Sequence, residues 1–140
     1  MLFEKRPEDF TLKFSVVSCF CEYDGEILLL KRQKFKPQGD TWGVPAGKVD
    51  LDEKPIEALI REVREETNIE VDINQVDFFN TVYVKYTDLD FVYYIFHTKF
   101  NKKPEVKIRD KEHSKYIWAS PQKALTMDLI EDLNKCIKLF

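Results

Sequence analysis

The sequence has few residues that form disulfides or bind soft metals. Its cysteines are Cys19, Cys21 and Cys136, and its histidines are His97 and His113. An odd cysteine count without a Cys-x-x-Cys pair predicts reduced thiols, as is typical of cytoplasmic proteins. We expect the cysteines to pack in the core, because two histidines leave too few ligands for a zinc site.

Long apolar runs and an excess of positive charge are also missing. No segment approaches the ~20 apolar residues of a membrane-spanning helix, and residues 1–9 contain no apolar run that would indicate a secretory signal. The formal net charge of −3 argues against a dedicated nucleic-acid-binding protein, which is usually basic. We therefore expect a cytoplasmic protein that folds as one domain over residues 1–140, without a membrane or nucleic-acid partner.

The strongest functional signal is a set of glutamates at helical spacing. Glu62, Glu65 and Glu66 stand at i, i+3 and i+4, which places them on neighbouring turns of one helix surface. Like charges ~4 Å apart repel each other by up to ~4 kcal/mol at an effective dielectric constant near 20. A cation relieves this repulsion, and hard divalent ions, Mg²⁺ above all, bind carboxylates together with water and phosphates. The pattern therefore predicts a metal site.

The same segment predicts a helix that ends at about Thr67. Pro55 suits the first turn, and Asn68 suits a left-handed cap after the last turn. An apolar stripe at i, i+3, i+4 and i+7 would face the core, and it consists of Ile56, Leu59, Ile60 and Val63. The glutamates lie beside this stripe, with Glu66 nearest the core and Glu65 the most exposed.

An alternative is that these charges form a solvated, salt-bridged helix face. Arg61 and Glu65 are at i, i+4, where an ion pair is expected whether or not a metal binds. The glutamate string alone does not decide between the two interpretations.

The remaining chain alternates strand and loop signals. Asp24-Gly25 predicts a hairpin turn between a strand at 11–22 and another at 27–30. An aromatic-rich hairpin across Thr87–Asp90, a brief extended piece at 70–73 and a last strand at 116–119 follow. A C-terminal amphipathic helix begins near Leu129. The pattern alone indicates an α+β fold.

The glutamates belong to a longer motif. Gly47, five residues, Glu53, seven residues and then 61–69 (Arg-Glu-Val-Arg-Glu-Glu-Thr-Asn-Ile) resemble the Nudix box, with eight of nine fixed positions matched. The departure is Asn68 in place of glycine, and asparagine still adopts positive φ. The segments 42–48 and 112–118 also resemble the flanking parts of many family members, so the resemblance covers most of the chain.

The resemblance implies an α/β/α sandwich with a mixed sheet, and hydrolysis of a nucleoside diphosphate linked to another group. It implies that Glu62, Glu65 and Glu66 bind Mg²⁺, for which Mn²⁺ can substitute, with the Gly47 carbonyl as a further ligand. Catalysis would involve Glu62 and Glu65, with Arg61 and Glu53 as the pair that holds the loop and the ligands in place. These matches favour the metal site over the solvated face.

Outside the box, Glu112 resembles a family glutamate that serves as a further ligand or as the general base, although it is equally consistent with an ordinary loop residue. We expect His113 to be structural. Arg32 and Lys48 are the predicted phosphate contacts, since fixed cations offset phosphate charge. Tyr86 lies at an offset that resembles dinucleoside polyphosphate hydrolases of the family.

Several functions remain open from sequence. The prediction is a hydrolase of nucleoside triphosphates or dinucleoside polyphosphates. The alternatives are a nucleotide sensor without turnover, a family isomerase and an RNA-cap hydrolase, the last two of which usually carry additional elements. A homodimer is also left open.

Overall fold

The computed structural model describes residues 1–86 and 89–140. Within these ranges the chain forms eight β-strands, three α-helices and a short 3₁₀ turn at Ile73–Gln75. In chain order the elements are β1 (Leu2–Phe3), β2 (Phe14–Tyr23), β3 (Glu26–Arg32), β4 (Trp42–Gly43), β5 (Ala46–Lys48), α1 (Pro55–Thr67), β6 (Val76–Tyr86), β7 (Leu89–Phe100), β8 (His113–Ala119), α2 (Pro121–Ala124) and α3 (Leu133–Leu139). Thr87 and Asp88, in the predicted turn of the aromatic hairpin, lie outside the described residues.

The strands form one mixed sheet in the order β1-β6-β7-β2-β3-β4, with β5 added to β2 and β8 added to β3. The central pair, β2 and β7, is parallel, and the other pairs are antiparallel. The predicted hairpin between β2 and β3 is confirmed. Its turn residues Asp24 and Gly25 both have positive φ, 50° and 77°, as a tight two-residue hairpin requires.

Helices cover both faces of the sheet. Alternate residues of β3 point to opposite sides, so that Leu28 and Leu30 pack with α1 while Ile27 and Leu29 pack with α2 and α3. The fold is therefore the α+β sandwich, with a mixed sheet between helices, that the resemblance implied.

Helix α1 begins and ends where local signals predicted. Glu57 accepts a hydrogen bond from the Lys54 amide at 2.8 Å, which satisfies a free donor at the first turn. Asn68 adopts φ 63°, and its amide donates to the Arg64 carbonyl at 2.9 Å. Leu59 and Val63 are buried against the sheet, and the glutamates lie along the helix beside them.

Three details of the strands and helices differ from the prediction or add to it. The predicted extended piece at 70–73 ends at Asp72, whose backbone is extended and whose side chain accepts a hydrogen bond from the Asn74 amide as the chain enters the 3₁₀ turn at Ile73. Helix α3 begins at Leu133 rather than near Leu129, because the segment around Leu129 pairs with Trp42. Strand β1 was not predicted; it is two residues long and exists through pairing with β6.

Across 1–86 and 89–140, no helix has the length and apolar character needed to cross a membrane. Cys19, Cys21 and Cys136 are buried free thiols that pack in the two core layers, as predicted.

Candidate active site

The three glutamates of α1 line one edge of the helix, in the order of exposure that helical spacing predicted. Glu66 is 4% exposed, the Glu62 side chain 16% and the Glu65 side chain 38%. The edge they form faces β5, since the Ala46 amide donates a hydrogen bond to the Glu66 carboxylate at 3.2 Å. The site is therefore a seam between a helix and the backbone of a short strand.

Gly47 is required at this seam by close approach. A Cβ atom built at Gly47 would overlap the carboxyl group of Glu62. Any side chain there would displace that carboxylate, so glycine allows the strand backbone and the glutamate to lie in contact.

Arg61 connects the glutamates to the loop before the helix. Its guanidinium donates two hydrogen bonds to Glu53, at 2.7 and 2.8 Å, and one to the Lys48 carbonyl at 3.1 Å. It also donates to Glu62 at 2.8 Å and to Glu65 at 3.2 Å. The hydrogen bonds from Arg61 lower the pKa of Glu53 to about 2 and, reciprocally, raise the pKa of Arg61. Arg61 and Glu53 thus stay charged and fix the helix against its loop.

The carboxylates nearest the core carry unfavourable charge. Burial, followed by the charge of Glu62, raises the pKa of Glu66 well above its ordinary value, against the hydrogen bond from the Ala46 amide. Burial also raises the pKa of Glu62, although Arg61 opposes the shift. A bound cation would remove this cost, because it favours the ionised form of both groups.

The loop before β8 brings a fourth acidic group, Glu112, to the seam. One ligand atom each from Glu66, Glu112 and His113 lies within 4.8 Å of the other two. Glu112 is partly exposed, with Arg109 at 3.8 Å from its carboxylate. Sequence reasoning named Glu112, and the structure brings it to the glutamates of α1.

His113, which was expected to be structural, lies beside the acidic groups of the seam. It is 5% exposed, and its Nδ1 has no hydrogen-bond partner in the described part of the chain. Burial lowers its pKa below the ordinary value, which favours the neutral ring. The ring thus carries a buried nitrogen whose lone pair or proton is unused, and one of its two ring nitrogens lies within 4.8 Å of carboxylate oxygens of Glu66 and Glu112.

Two cavities lie between the sheet and α3, and Glu66 lines the smaller of them. The first, about 70 Å³, is lined by Arg32, Gly43, Val44, Ala46, Glu66, Tyr93, His113, Ile130 and Leu133. The second, about 150 Å³, is lined by Leu2, Gln38, Val84, Tyr86, Phe91, Tyr93, Ile130, Glu131, Asp132, Leu133 and Cys136. Tyr93, Ile130 and Leu133 line both, so the two cavities adjoin; we call the pair the cleft, with an aromatic end at Tyr86 and another end at Glu66.

Tyr86 and Asp132 supply polar groups to the aromatic end. The Tyr86 hydroxyl donates to the Asp132 carboxylate at 3.4 Å, and burial together with that negative charge raises the pKa of Tyr86 to about 12. The Asp132 side chain is 14% exposed, with Lys135 at 3.3 Å. Asp132 was not predicted from the sequence. The acidic pair Glu131-Asp132, between the apolar residues Ile130 and Leu133, could have indicated a polar group at this position.

The two predicted phosphate contacts are placed differently. Arg32 lines the smaller cavity with Glu66, and its Nε donates to the Pro37 carbonyl at 2.9 Å. The Lys48 ammonium instead lies over the Phe14 ring, 4.5 Å from its centroid. The structure therefore brings Arg32 to the cleft, and it directs the Lys48 side chain toward an aromatic ring.

Without divalent ions, wild-type protein is expected to lose stability relative to Glu66→Gln as the pH rises above about 4.3, the ordinary glutamate pKa. The unfolded chain releases the Glu66 proton from that pH onward, whereas the folded chain keeps it until its raised pKa is passed. The folded state binds more protons in this window, so its free energy of unfolding falls by up to ~1.4 kcal/mol per pH unit. The variant removes the charge and keeps an acceptor for the Ala46 amide.

The measurement is urea unfolding in EDTA from about pH 4.5 to about pH 8. The other charged groups near Glu66 are Glu62, Glu112, Arg32 and His113. They are present in both proteins, so their own titration largely cancels in the difference. Glu70→Gln, at an exposed position, is the control and should follow the wild type. A stability difference between Glu66→Gln and wild type that is constant with pH would contradict the assignment.

Comparisons with known proteins agree with this geometry. A family model described as NUDIX domain matches residues 11–140. The chain is 33% identical over 116 residues to a CTP pyrophosphohydrolase of Escherichia coli (strain K12), with 81% of each chain covered. Among solved structures, a MutT protein from Methanosarcina mazei Go1 superposes with a TM-score of 0.76 at 28% identity, covering 89% of this chain and 90% of that one. The E. coli ORF135 protein gives a TM-score of 0.76 at 27% identity, covering 91% and 87%.

Proposed function

Because this chain belongs to the Nudix family and is a Nudix pyrophosphohydrolase, we propose that it hydrolyses nucleoside triphosphates whose base carries an exocyclic amino group, with Mg²⁺ or Mn²⁺ as cofactor. The observation that carries the proposal is the pair of adjoining cavities, one lined by Tyr86 and Asp132 and the other by Glu66. The relative named CTP pyrophosphohydrolase supports a cytosine nucleotide as the first substrate to test.

The residues of the seam fit a divalent cation. The residues of the seam offer many carboxylate oxygens, and the pKa values of Glu62 and Glu66 are raised. At Gly47 the strand backbone lies so close to the Glu62 carboxylate that no side chain fits between them. Glu62, Glu65 and Glu66 would hold the ion, with the Gly47 carbonyl and Glu112 as further oxygen donors. When bound, the cation supplies Lewis acidity and offsets phosphate charge.

The aromatic end of the cleft fits a pyrimidine ring. A cavity of about 150 Å³ accommodates a benzene-sized ring, and Tyr86, Phe91 and Tyr93 offer aromatic surface for stacking. A carboxylate has no hydrogen to donate. The Asp132 side chain would therefore accept a hydrogen bond from an amino group of the base and repel a carbonyl oxygen of the base at the same position. This favours cytosine over uracil.

The phosphate chain would then pass from the aromatic end toward α1. Arg32 lines the intervening cavity, where its charge offsets that of the phosphates. Lys48 reaches the substrate only if its side chain leaves Phe14. In the reaction a water oxygen forms a bond to phosphorus, the bridging P–O bond breaks, and the leaving phosphate group takes the electron pair. We assign the proton of that water to Glu112, which lies beside Glu66 and partly open to solvent.

A second candidate substrate class is dinucleoside polyphosphates. On the other side of Glu65 an open groove of about 470 Å³ is lined by Arg64, Lys107 and Arg109. These cations would attract the far end of a longer phosphate chain. The Tyr86 position, which resembles that of dinucleoside polyphosphate hydrolases, favours the same class.

A nucleotide panel with Mg²⁺ and Mn²⁺ tests the proposal. We expect the highest kcat/KM with a triphosphate of cytosine, and a loss of preference for cytosine over uracil of about 10–100-fold in Asp132→Asn, because a hydrogen bond to a charged group contributes roughly 1.5–3 kcal/mol. Asparagine tolerates the φ of 67° at this residue, so the fold is kept.

Tyr86→Phe is the matched control, since it removes the hydroxyl that contacts Asp132 and keeps the ring. It should change kcat/KM for both bases together. If Asp132→Asn keeps the preference for cytosine over uracil, the base does not bind in this cavity. Tight nucleotide binding without phosphate release would favour the sensor function, and a dinucleoside polyphosphate as the best substrate would favour the second class.

A further inference from the structure

A buried ring nitrogen without a partner is unusual and needs a physical explanation. The His113 Nδ1 has no hydrogen bond within the described residues, and the residue is 5% exposed. Leaving such a group unsatisfied costs about 1–3 kcal/mol. Buried orphan groups in native proteins commonly mark a site for an ion, a ligand or a water.

The backbone of His113 holds the ring in position. Its amide donates to the Arg109 carbonyl at 3.0 Å, and it pairs with Arg32 at a register shift between β3 and β8. The ring therefore sits at the first residue of β8, in the wall of the cavity that contains Glu66. The backbone is anchored on both sides, and a ring nitrogen of the residue lies within 4.8 Å of carboxylate oxygens of Glu66 and Glu112.

The neighbouring groups complete a ligand set. A carboxylate oxygen of Glu66, one of Glu112 and a ring nitrogen of His113 lie within 4.8 Å of one another. Ligands at about 2.1 Å from one ion are at most about 4.2 Å apart. Small side-chain movements would thus bring all three atoms into contact with a single cation.

We propose that His113 supplies a ring nitrogen to the divalent cation held by Glu66 and Glu112, so that this site prefers Mn²⁺ or another transition-metal ion over Mg²⁺. The inference rests on the proposed function, because it concerns the same metal site. Imidazole is a good ligand for transition ions, whereas Mg²⁺ selects oxygen donors and keeps its waters. Coordination through Nδ1 would give this buried nitrogen a partner and offset the cost of burying it.

The test is pulsed electron paramagnetic resonance of untagged protein loaded with Mn²⁺. Directly bound histidine gives a ¹⁴N coupling, which a ¹⁵N-histidine label replaces with a ¹⁵N coupling. The chain has two histidines, and His97 lies elsewhere, with its Nε2 2.8 Å from Glu22. In labelled His97→Gln every histidine nitrogen is therefore that of His113, and we expect the coupling to remain at full strength.

His113→Gln should lose the coupling and lower the affinity for Mn²⁺ relative to Mg²⁺ by about 10–100-fold, the range seen when a metal site loses a supporting group. No histidine coupling in labelled His97→Gln would overturn the proposal, even if His113→Gln fails to fold. The two proposals fail separately: hydrolysis without a nitrogen coupling rejects the His113 ligand alone. A nitrogen coupling without hydrolysis of any nucleotide in the panel rejects the substrate assignment alone.

Discussion

Replacement of Glu65 by glutamine is expected to abolish measurable nucleotide hydrolysis, a fall in kcat of about 10²–10³-fold or more, while the protein stays folded. Glu65 is the most exposed of the three glutamates, and its carboxylate accepts a hydrogen bond from Arg61 at 3.2 Å. Its replacement removes a charge and a proposed metal ligand without opening the core. Steady-state phosphate release and circular dichroism would measure the two effects.

Glu70→Gln is the matched control for this experiment. It removes the same charge from an exposed position just beyond α1, and we expect its kcat to be unchanged. Near-normal activity of Glu65→Gln at saturating Mg²⁺ or Mn²⁺ would instead mean that Glu65 belongs to a solvated helix face, as the alternative interpretation of the sequence had it.

Divalent ions are expected to raise the melting temperature of the wild type, and Glu62→Gln/Glu66→Gln should remove most of the rise. An ion at 100 times its Kd adds ~2.7 kcal/mol to a folded state that alone binds it, or roughly 5–10 °C for a chain of this size. The two residues contact the strand that carries Gly47 and have raised pKa values. Metal-free, the double variant should be at least as stable as the wild type, because the buried repulsion has gone.

Calorimetry in one buffer, with and without Mg²⁺, measures both effects. Glu70→Gln/Glu105→Gln, at exposed positions, controls for the loss of two negative charges and should keep the full response. A Glu62→Gln/Glu66→Gln protein that keeps the response would place the ion elsewhere on the molecule.

Short-range signals made much of the fold predictable. The bounds of α1 follow from Pro55, Asn68 and an apolar stripe, all of which act within a few residues. The β2–β3 hairpin follows from Asp24-Gly25, because these residues tolerate positive φ. Family membership followed from the box spacing, which is also local in sequence.

Features that depend on distant contacts were not predictable in the same way. Helix α3 begins late because Trp42 exchanges hydrogen bonds with Asp128 and Ile130, and because Asp132 then adopts a left-handed conformation. The partners of Trp42 lie more than eighty residues away in the chain. The spacing of apolar residues within the C-terminal segment gives no indication of that pairing.

The residues of the site likewise divide into those that local sequence predicts and those that depend on distant contacts. Helical spacing placed Glu62, Glu65 and Glu66 on one edge, and the box spacing predicted the Arg61–Glu53 pair. Arg32 and Asp132 line the two ends of the cleft. The cleft is formed by β3, β7 and α3, which meet only in the folded molecule. The orphan nitrogen of His113 likewise depends on burial, which a lone histidine in a loop-to-strand segment does not reveal.

The parallel pairing of β2 with β7 has a consequence for synthesis on the ribosome. Helix α1 is complete once residue 67 has emerged, but β2 gains its central neighbour only with β7, and the cleft closes only with α3. Proteins of this size fold as units during or after translation. A nascent chain that ends before β7 therefore presents an acidic helix and an unpaired edge of β2, and one that ends before α3 still lacks the wall that α3 gives the cavity beside Tyr86. The earliest folding of the growing chain thus depends on the β2–β3 hairpin and the apolar stripe of α1 rather than on a ligand in that cavity.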